Sequence, residues 1–379
     1  MEIIKNIYAY VLSAALMLTG CAGTGTEGGF TNGNIENIDN ALQVHFIDVD
    51  QADCELIKFP DGEYALIDAG GGSTKNETVE YLKNQGIDEF AFVVATHGHE
   101  DHIGGMQSVI KNFKIDKIIR GYEDYDSTLY TNFLYAIEEK GIDEVIAKYG
   151  DTFEVGGAEF EILAPIGDDY KDYNDYSVVL KMTYKNKSFI FTGDASKASE
   201  NDMLSMGYDL KSDVLKVGHH GSRTASTEEF IKAVSPSVAV ISVGKDNKYG
   251  LPDEEPIERL ENAGSAIYRT DEVGTVIIST DGDVLNVQTE DGSSSAVSTN
   301  NASASSSSSE AVSSEPKNES QKETPSAPQQ TEEFIGNKNT KVYHVPTCSS
   351  LPAEKNQVKF SSKEEAESEG YKAHEKCVK

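Results

Sequence analysis

Residues 41–290 predict one α/β or α+β domain of about 250 residues. Two observations carry that expectation. Short apolar or β-branched runs alternate with helical patterns and glycine-containing turns across the whole stretch, and the segments on either side differ from it in composition. Strands are expected over 42–48, 54–58, 64–68 and 90–95, then over 178–184, 188–192, 214–217, 238–243 and 275–279. Helices are expected over 76–84, 103–113, 127–140, 227–234 and 252–263, where apolar residues recur at helical spacing. Ser226 and Glu229 stand at capping-box spacing ahead of the fourth of these. The 379-residue chain is 38% hydrophobic and 26% charged, and its first 20 residues form its one long apolar run, so several membrane spans are excluded.

Charge narrows the function classes. The formal net charge is −31, from 33 basic and 64 acidic residues. Residues 41–290 hold 22 basic and 47 acidic side chains, a net −25, so the imbalance belongs to the expected domain itself. Such a field repels phosphates and argues against binding nucleic acid through a broad basic face, leaving local cationic or metal-bearing sites open. Four cysteines in a chain this long do not make a disulfide framework.

The flanks read differently. Residues 1–20 have the layout of a secretory signal, with Lys5 ahead of an apolar run. Leu18-Thr19-Gly20-Cys21 resembles the lipobox of bacterial lipoproteins, which implies cleavage before Cys21, lipidation of its thiol and an anchor on the exported face of the cell membrane. An ordinary signal peptide with a chance cysteine is the alternative. Residues 21–40 read as a tether. Ser fills 14 of the 40 positions of 291–330, too little apolar matter to offset ordering entropy, so that segment is expected to be a disordered linker. Residues 331–379 regain aromatics and two cysteines and read as a small separate module.

The strongest chemical signal is Thr96-His97-Gly98-His99-Glu100-Asp101-His102-Ile103-Gly104-Gly105, directly after the expected strand 90–95. Three imidazoles and a carboxylate within six residues form a dense set of borderline-to-hard ligands that suits Zn, Mn or Fe. His97 and His99 can project together toward one ion, with Asp101 and His102 around the turn for a second. Asp194, after the apolar run 189–191, is a strand-end carboxylate that by itself more often marks a turn.

The H-x-H-x-D-H pattern after a strand resembles the hallmark of the metallo-β-lactamase fold superfamily. Neighbouring segments resemble one branch, the metallo-β-lactamase domain of ComEC-type DNA-uptake proteins. They are Phe46-Ile47-Asp48-Val49, Leu66-Ile67-Asp68-Ala69-Gly70, Asn174-Asp175-Tyr176-Ser177, Phe191-Thr192-Gly193-Asp194-Ala195, Leu215-Lys216-Val217-Gly218-His219-His220-Gly221-Ser222 and Asn247-Lys248-Tyr249-Gly250-Leu251-Pro252. The resemblance implies an αββα sandwich with two divalent ions, Zn or Mn, at one edge. It assigns His97 and His99 to the first ion, Asp101 and His102 to the second, and Asp194 to a bridge. One of His219 and His220 completes the second site, His219 being favoured as nearer the preceding strand. Asp68 is implied to orient the ligand loop.

Three departures stand out. The superfamily's usual third-motif histidine is missing, with Asn174 and Ser177 in that region, so the first ion would share an Asn or water ligand. The branch's Asp-Val-Gly-Gln-Gly-Asp-Ser becomes Asp48-Val49-Asp50-Gln51-Ala52-Asp53-Cys54, and Leu251 replaces a histidine expected on the substrate side. Lys216, Ser222 and Arg223 are candidates for contact with an anionic substrate, or surface charge. Cys54 reads as a small buried strand residue.

His344, Cys348, His374 and Cys377 form H-x₃-C and H-x₂-C pairs, the recipe for one structural zinc, with a Cys348–Cys377 disulfide as the alternative. The surrounding residues resemble the small Ada-type metal-binding module, in which His374 here replaces a cysteine. The expected function is therefore an exported, lipid-anchored hydrolase. It would cut phosphodiester bonds of DNA or nucleotides, using a hydroxide held between two ions and oriented by Asp101 or Asp194. A phosphodiesterase on a cell-envelope polymer or head group, and a metal-dependent DNA-binding surface protein without turnover, are the alternatives.

Overall fold

The computed structural model describes residues 41–121, 125–297, 334–338, 341–346, 357–360 and 362–373. Side chains along the strand Phe92–Ala95 show how the layers form. Phe92 and Val94 pack inward against the opposite sheet, while Val93 and Ala95 pack outward beneath helices. Burial on both faces demands apolar residues at consecutive positions, which is why this strand reads as an unbroken apolar run.

A nine-stranded sheet runs in the order Ser294–Val297, Leu285–Thr289, Val276–Thr280, Leu42–Phe46, Glu55–Lys58, Tyr64–Ile67, Phe92–Ala95, Lys117–Arg120 and Asp143–Ile146. A seven-stranded sheet runs Ala266–Arg269, Val238–Ile241, Val214–Lys216, Lys187–Phe191, Val179–Tyr184, Ala158–Ala164 and Thr152–Val155. Their facing sides share one apolar core that includes Phe46, Phe92, Phe160 and Phe191. Lys75–Asn84, Met106–Asn112 and Thr128–Lys140 cover the first sheet through Leu82, Val109 and Phe133. Lys197–Met206, Glu228–Val234 and Glu254–Asn262 cover the second through Met203, Phe230 and Leu260. The result is the αββα sandwich that the resemblance implied.

Strand direction places the functional residues. Tyr64–Ile67, Phe92–Ala95 and Lys117–Arg120 run parallel, as do Lys187–Phe191, Val214–Lys216 and Val238–Ile241. Parallel neighbours deliver their C-terminal ends to one edge, where ligands of α/β sheets commonly bind. Asp68, His97, Asp194 and His220 all follow such ends.

Two expectations are corrected and one helix is added. The helix over 103–113 is two pieces, Glu100–Ile103 and Met106–Asn112. A Cβ on Gly104 would collide with the Gly72 amide nitrogen, and one on Gly105 with the Ala69 carbonyl, so the backbone passes flush against the loop after Asp68. The helix Lys197–Met206 was not predicted, because its polar sequence offers little apolar periodicity. The start of the expected disordered linker is ordered: Ser294–Val297 pairs antiparallel with Leu285–Thr289 as an edge strand held by backbone bonds, which serine-rich sequence does not advertise. In the tail, Phe334, Tyr343, Phe360, Ala366 and Tyr371 form a small core of their own on a four-stranded sheet.

The close pass of Gly105 gives a direct expectation: Gly105→Ala lowers unfolding stability by about 1–3 kcal/mol, the usual cost of overpacking, in urea titrations. A second concerns pH. Burial drives the His45 imidazole down to about 4, with Lys58 adding to it, so the ring folds neutral. A lowered histidine leaves stability intact above its unfolded value near 6.5 and removes it as pH falls toward 4, about 3 kcal/mol in all. Between pH 6.5 and 4 the native chain should lose that much more stability than His45→Gln.

Candidate metal centre

Asp68 follows its strand in the left-handed region, at φ 55°. Its buried carboxylate is fully used. Oδ1 accepts from the Thr96 amide at 2.8 Å; Oδ2 accepts from the Thr96 hydroxyl at 2.6 Å and lies 2.7 Å from His102 Nδ1. An acceptor at Nδ1 fixes the imidazole and turns Nε2 into the cluster.

Asp194 sits at the centre. Its amide donates to Ser177 Oγ at 3.2 Å, and Ser177 Oγ also lies 3.3 Å from His97 Nδ1. Oδ1 lies 3.2 Å from His102 Nε2 and 3.7 Å from His220 Nε2. Oδ2 lies 3.9 Å from His97 Nε2 and 3.7 Å from His219 Nε2. His97 Nε2 and His99 Nδ1 stand 2.9 Å apart, and Asp101 Oδ2 stands 3.5 Å from His220 Nε2. Two sets therefore form, His97 with His99 and Asp194, and Asp101 with His102 and His220. Within each set the ligand atoms lie within 4.8 Å of one another.

The preference for His219 in the second set is corrected. Both histidines are left-handed, at φ 52°, in the short turn Gly218–Gly221, and their rings diverge. His220 is buried, with Nδ1 2.9 Å from the Ser242 carbonyl and 3.3 Å from Asp53 Oδ1, which aims Nε2 at Asp101 and Asp194. His219 is part-exposed and faces the first set, its Nε2 3.3 Å from Asn174 Nδ2. Turn geometry, not distance from the strand, separates the two.

Charge explains the crowding. Burial and then the charge of His102 push His97 well below its ordinary value. Burial opposes a proton on His102 and His220 too, yet Asp194 with Asp68 holds the first well above its ordinary value, and Asp194 with Asp53 raises the second to about 10. Asp194 in turn is held well below the carboxylate range, because His102 and His220 outweigh its burial. The carboxylates recruit positive charge, and protons supply it in the ion-free chain. His102 Nε2, His220 Nε2 and Asp194 Oδ1 are buried and face one another at 3.2 and 3.7 Å without a well-aligned hydrogen bond, which is rare in a protein core. Imidazole nitrogen with carboxylate oxygen is a donor set for Zn or Mn. The residues fit divalent ions.

For the three candidate anion contacts the structure shows other partners. Lys216 is 1% exposed, and its Nζ lies 2.7 Å from Asp53 Oδ2 and donates to the Val217 carbonyl at 3.0 Å. Ser222 Oγ lies 3.0 Å from Thr224 Oγ1 and shapes the turn. Arg223 pairs at the surface with Asp253 and Glu255. Asp53 was missed as a member of the cluster, although it stands next to last in the segment 48–54 compared with the branch pattern. Asp175 was missed as well: it accepts from the Ser196 amide and hydroxyl and the Ser199 amide, fixing the start of the helix Lys197–Met206 beside Asp194. The cluster opens to a cleft of about 640 Å³ whose far wall carries Lys245, Lys248, Tyr249 and Leu251. In the tail, His344 is buried on the strand Val342–His344; Cys348, His374 and Cys377, like Cys21, lie outside the described residues.

Residues 47–245 match the family model of the metallo-beta-lactamase superfamily, and residues 323–379 match that of the metal binding domain of Ada. ComE operon protein 3 of Bacillus subtilis is 30% identical over 251 residues, covering 62% of this chain and 32% of that protein. Recombination protein 2 of Haemophilus influenzae is 31% identical over 252 residues, covering 65% of this chain and 30% of that protein. The chain thus matches about a third of the length of either relative. Among solved structures, Igni18, a metallo hydrolase of Ignicoccus hospitalis, is 18% identical with a TM-score of 0.43, over 62% of this chain and 98% of that one.

Asp68→Ala leaves the Thr96 amide, the Thr96 hydroxyl and His102 Nδ1 without their shared acceptor. With a buried polar group costing about 1–3 kcal/mol when unpaired, urea unfolding in chelator should show a loss of at least about 2 kcal/mol. Thr96→Val, which removes one donor, should cost less.

Proposed function

The chain belongs to the metallo-beta-lactamase superfamily of metal-dependent hydrolases, and from that membership we propose a phosphodiesterase acting on DNA or nucleotides through two divalent ions held side by side. The carrying observation is Asp194, whose two oxygens face different sets of imidazoles. His97, His99 and Asp194 would hold one ion, with Asn174 and His219 beside it. Asp101, His102 and His220 would hold the other, with the second Asp194 oxygen. Bound ions supply Lewis acidity toward a phosphoryl oxygen and toward water.

The chain's own residues supply the rest. Asp101 stands at the mouth, with 28% of its side chain exposed. Burial pushes its carboxyl up, but His220 and His102 outweigh that and keep it ionised, so it can orient a water molecule at the cleft floor. Asp68 and Asp53 hold the imidazoles from behind. Lys245 and Lys248, both exposed on the far wall, offer cations to flanking phosphates in an otherwise acidic domain. Relatives named for competence and recombination support DNA as the polymer. Leu251, apolar where the branch carries histidine, favours one second reading: binding of the same polymer without turnover.

Export and anchoring through Cys21 rest on the lipobox-like Leu18-Thr19-Gly20-Cys21. One structural zinc in the tail rests on the His344, Cys348, His374 and Cys377 pattern and on the match to the metal binding domain of Ada. Cys21→Ser should shift the protein from the membrane to the soluble fraction; membrane partition unchanged by that substitution rules the anchor out.

The function test is turnover of bis(4-nitrophenyl) phosphate by the full chain with Mn²⁺ or Zn²⁺, with chelator, and with Asp194→Ala. Ion-dependent turnover that falls to the chelated background in the variant is expected. Equal rates with and without ions would end the phosphodiesterase reading.

A further inference from the structure

We propose, on the footing that Asp101, His102 and His220 hold one of the two ions, that Lys216 is a positioning residue for that ion alone, acting through Asp53. Lys216 ends the strand Val214–Lys216 of the seven-stranded sheet, and Asp53 precedes the strand Glu55–Lys58 of the nine-stranded sheet. Each is 1% exposed. The two Asp53 oxygens do different work. Oδ2 lies 2.7 Å from Lys216 Nζ and 3.9 Å from His102 Nδ1, while Oδ1 lies 3.3 Å from His220 Nδ1. Among the described residues, the ion pairs of Asp53 are with Lys216, His102 and His220, and none is with His97 or His99. The pair is built against one half of the centre.

Burying a charged lysine between two sheets costs several kcal/mol, and apolar side chains of similar volume would often serve stability as well or better. Glu55, equally buried, makes no ion pair with Lys216 among the described residues, so the ammonium is committed to Asp53 and to the Val217 carbonyl. That commitment keeps the Asp53 charge behind His220, which together with the Ser242 carbonyl holds the ring with Nε2 toward Asp101 and Asp194. Without the lysine, Asp53 would keep only His220 and His102 as ion-pair partners and would draw one or both toward itself. A plain staple between the sheets would instead affect both ion sites alike.

The test is titration of the ion-free full chain with Mn²⁺, followed by electron paramagnetic resonance. Two ions sharing Asp194 give an exchange-coupled spectrum and a single ion does not; thiolate ligands in the tail disfavour Mn²⁺. In Lys216→Met the first ion should bind as in the native chain. The second should bind about 10- to 100-fold more weakly, with the coupled spectrum lost at concentrations that saturate the native protein. Asp53→Asn, which keeps an oxygen for Lys216 but loses the charge behind His220, should show the same loss, and it decides the matter if Lys216→Met does not fold by circular dichroism. Equal weakening of both ions, or failure of both variants to fold in the presence of Mn²⁺, would make the pair a staple and overturn the proposal. Unchanged second-ion affinity in the folded variants would overturn it as well. A native chain that binds a single Mn²⁺ would instead refute the two-ion reading beneath it.

Discussion

The structure turns on negative charge gathered at one edge of the sandwich. Asp53, Asp68, Asp101 and Asp194 converge there, three of them almost fully buried, and such a cluster cannot stand unless positive charge meets it. Five imidazoles and one ammonium surround them. In the ion-free chain protons on His102 and His220 complete the balance. Asp194 and Asp53 hold a proton on His220 against the cost of full burial, so the edge favours positive charge.

Much of the remaining architecture holds those carboxylates in place. Two parallel strand sets deliver loop starts to a common edge. Gly104 and Gly105 let the loop that carries Asp101 and His102 lie against the loop after Asp68. Ser177 fixes the Asp194 backbone, Thr96 fixes Asp68, and Asp175 pins the start of the following helix. Few of these contacts touch the cleft, yet each limits how far an imidazole can swing.

The same edge reconciles an acidic chain with the phosphate-bearing substrate proposed for it. A net charge of −31 repels polyanions at long range. Attraction must then be local, from bound ions and from the exposed Lys245 and Lys248 on the cleft wall. Lys216, the lysine ahead of His219 and His220, is removed from that role by burial.

What sequence could determine was set by local pattern. The apolar run before His97, the density of histidine and aspartate after it, and the strand-end position of Asp194 are local properties, and together they specified the layers and the chemistry of the edge. The lipobox-like segment and the paired Cys and His of the tail are local patterns of the same kind. Contacts across the sandwich were not. Which of His219 and His220 joins Asp101 was decided by two left-handed residues in one turn and by Asp53, 167 positions away from His220 in the chain. Lys216 looked like a substrate contact beside the motif, and only the packing of one sheet on the other turned it inward to Asp53. Composition and spacing name the donors; the geometry that pairs them depends on which strand ends become neighbours, and that is a property of the folded layers alone.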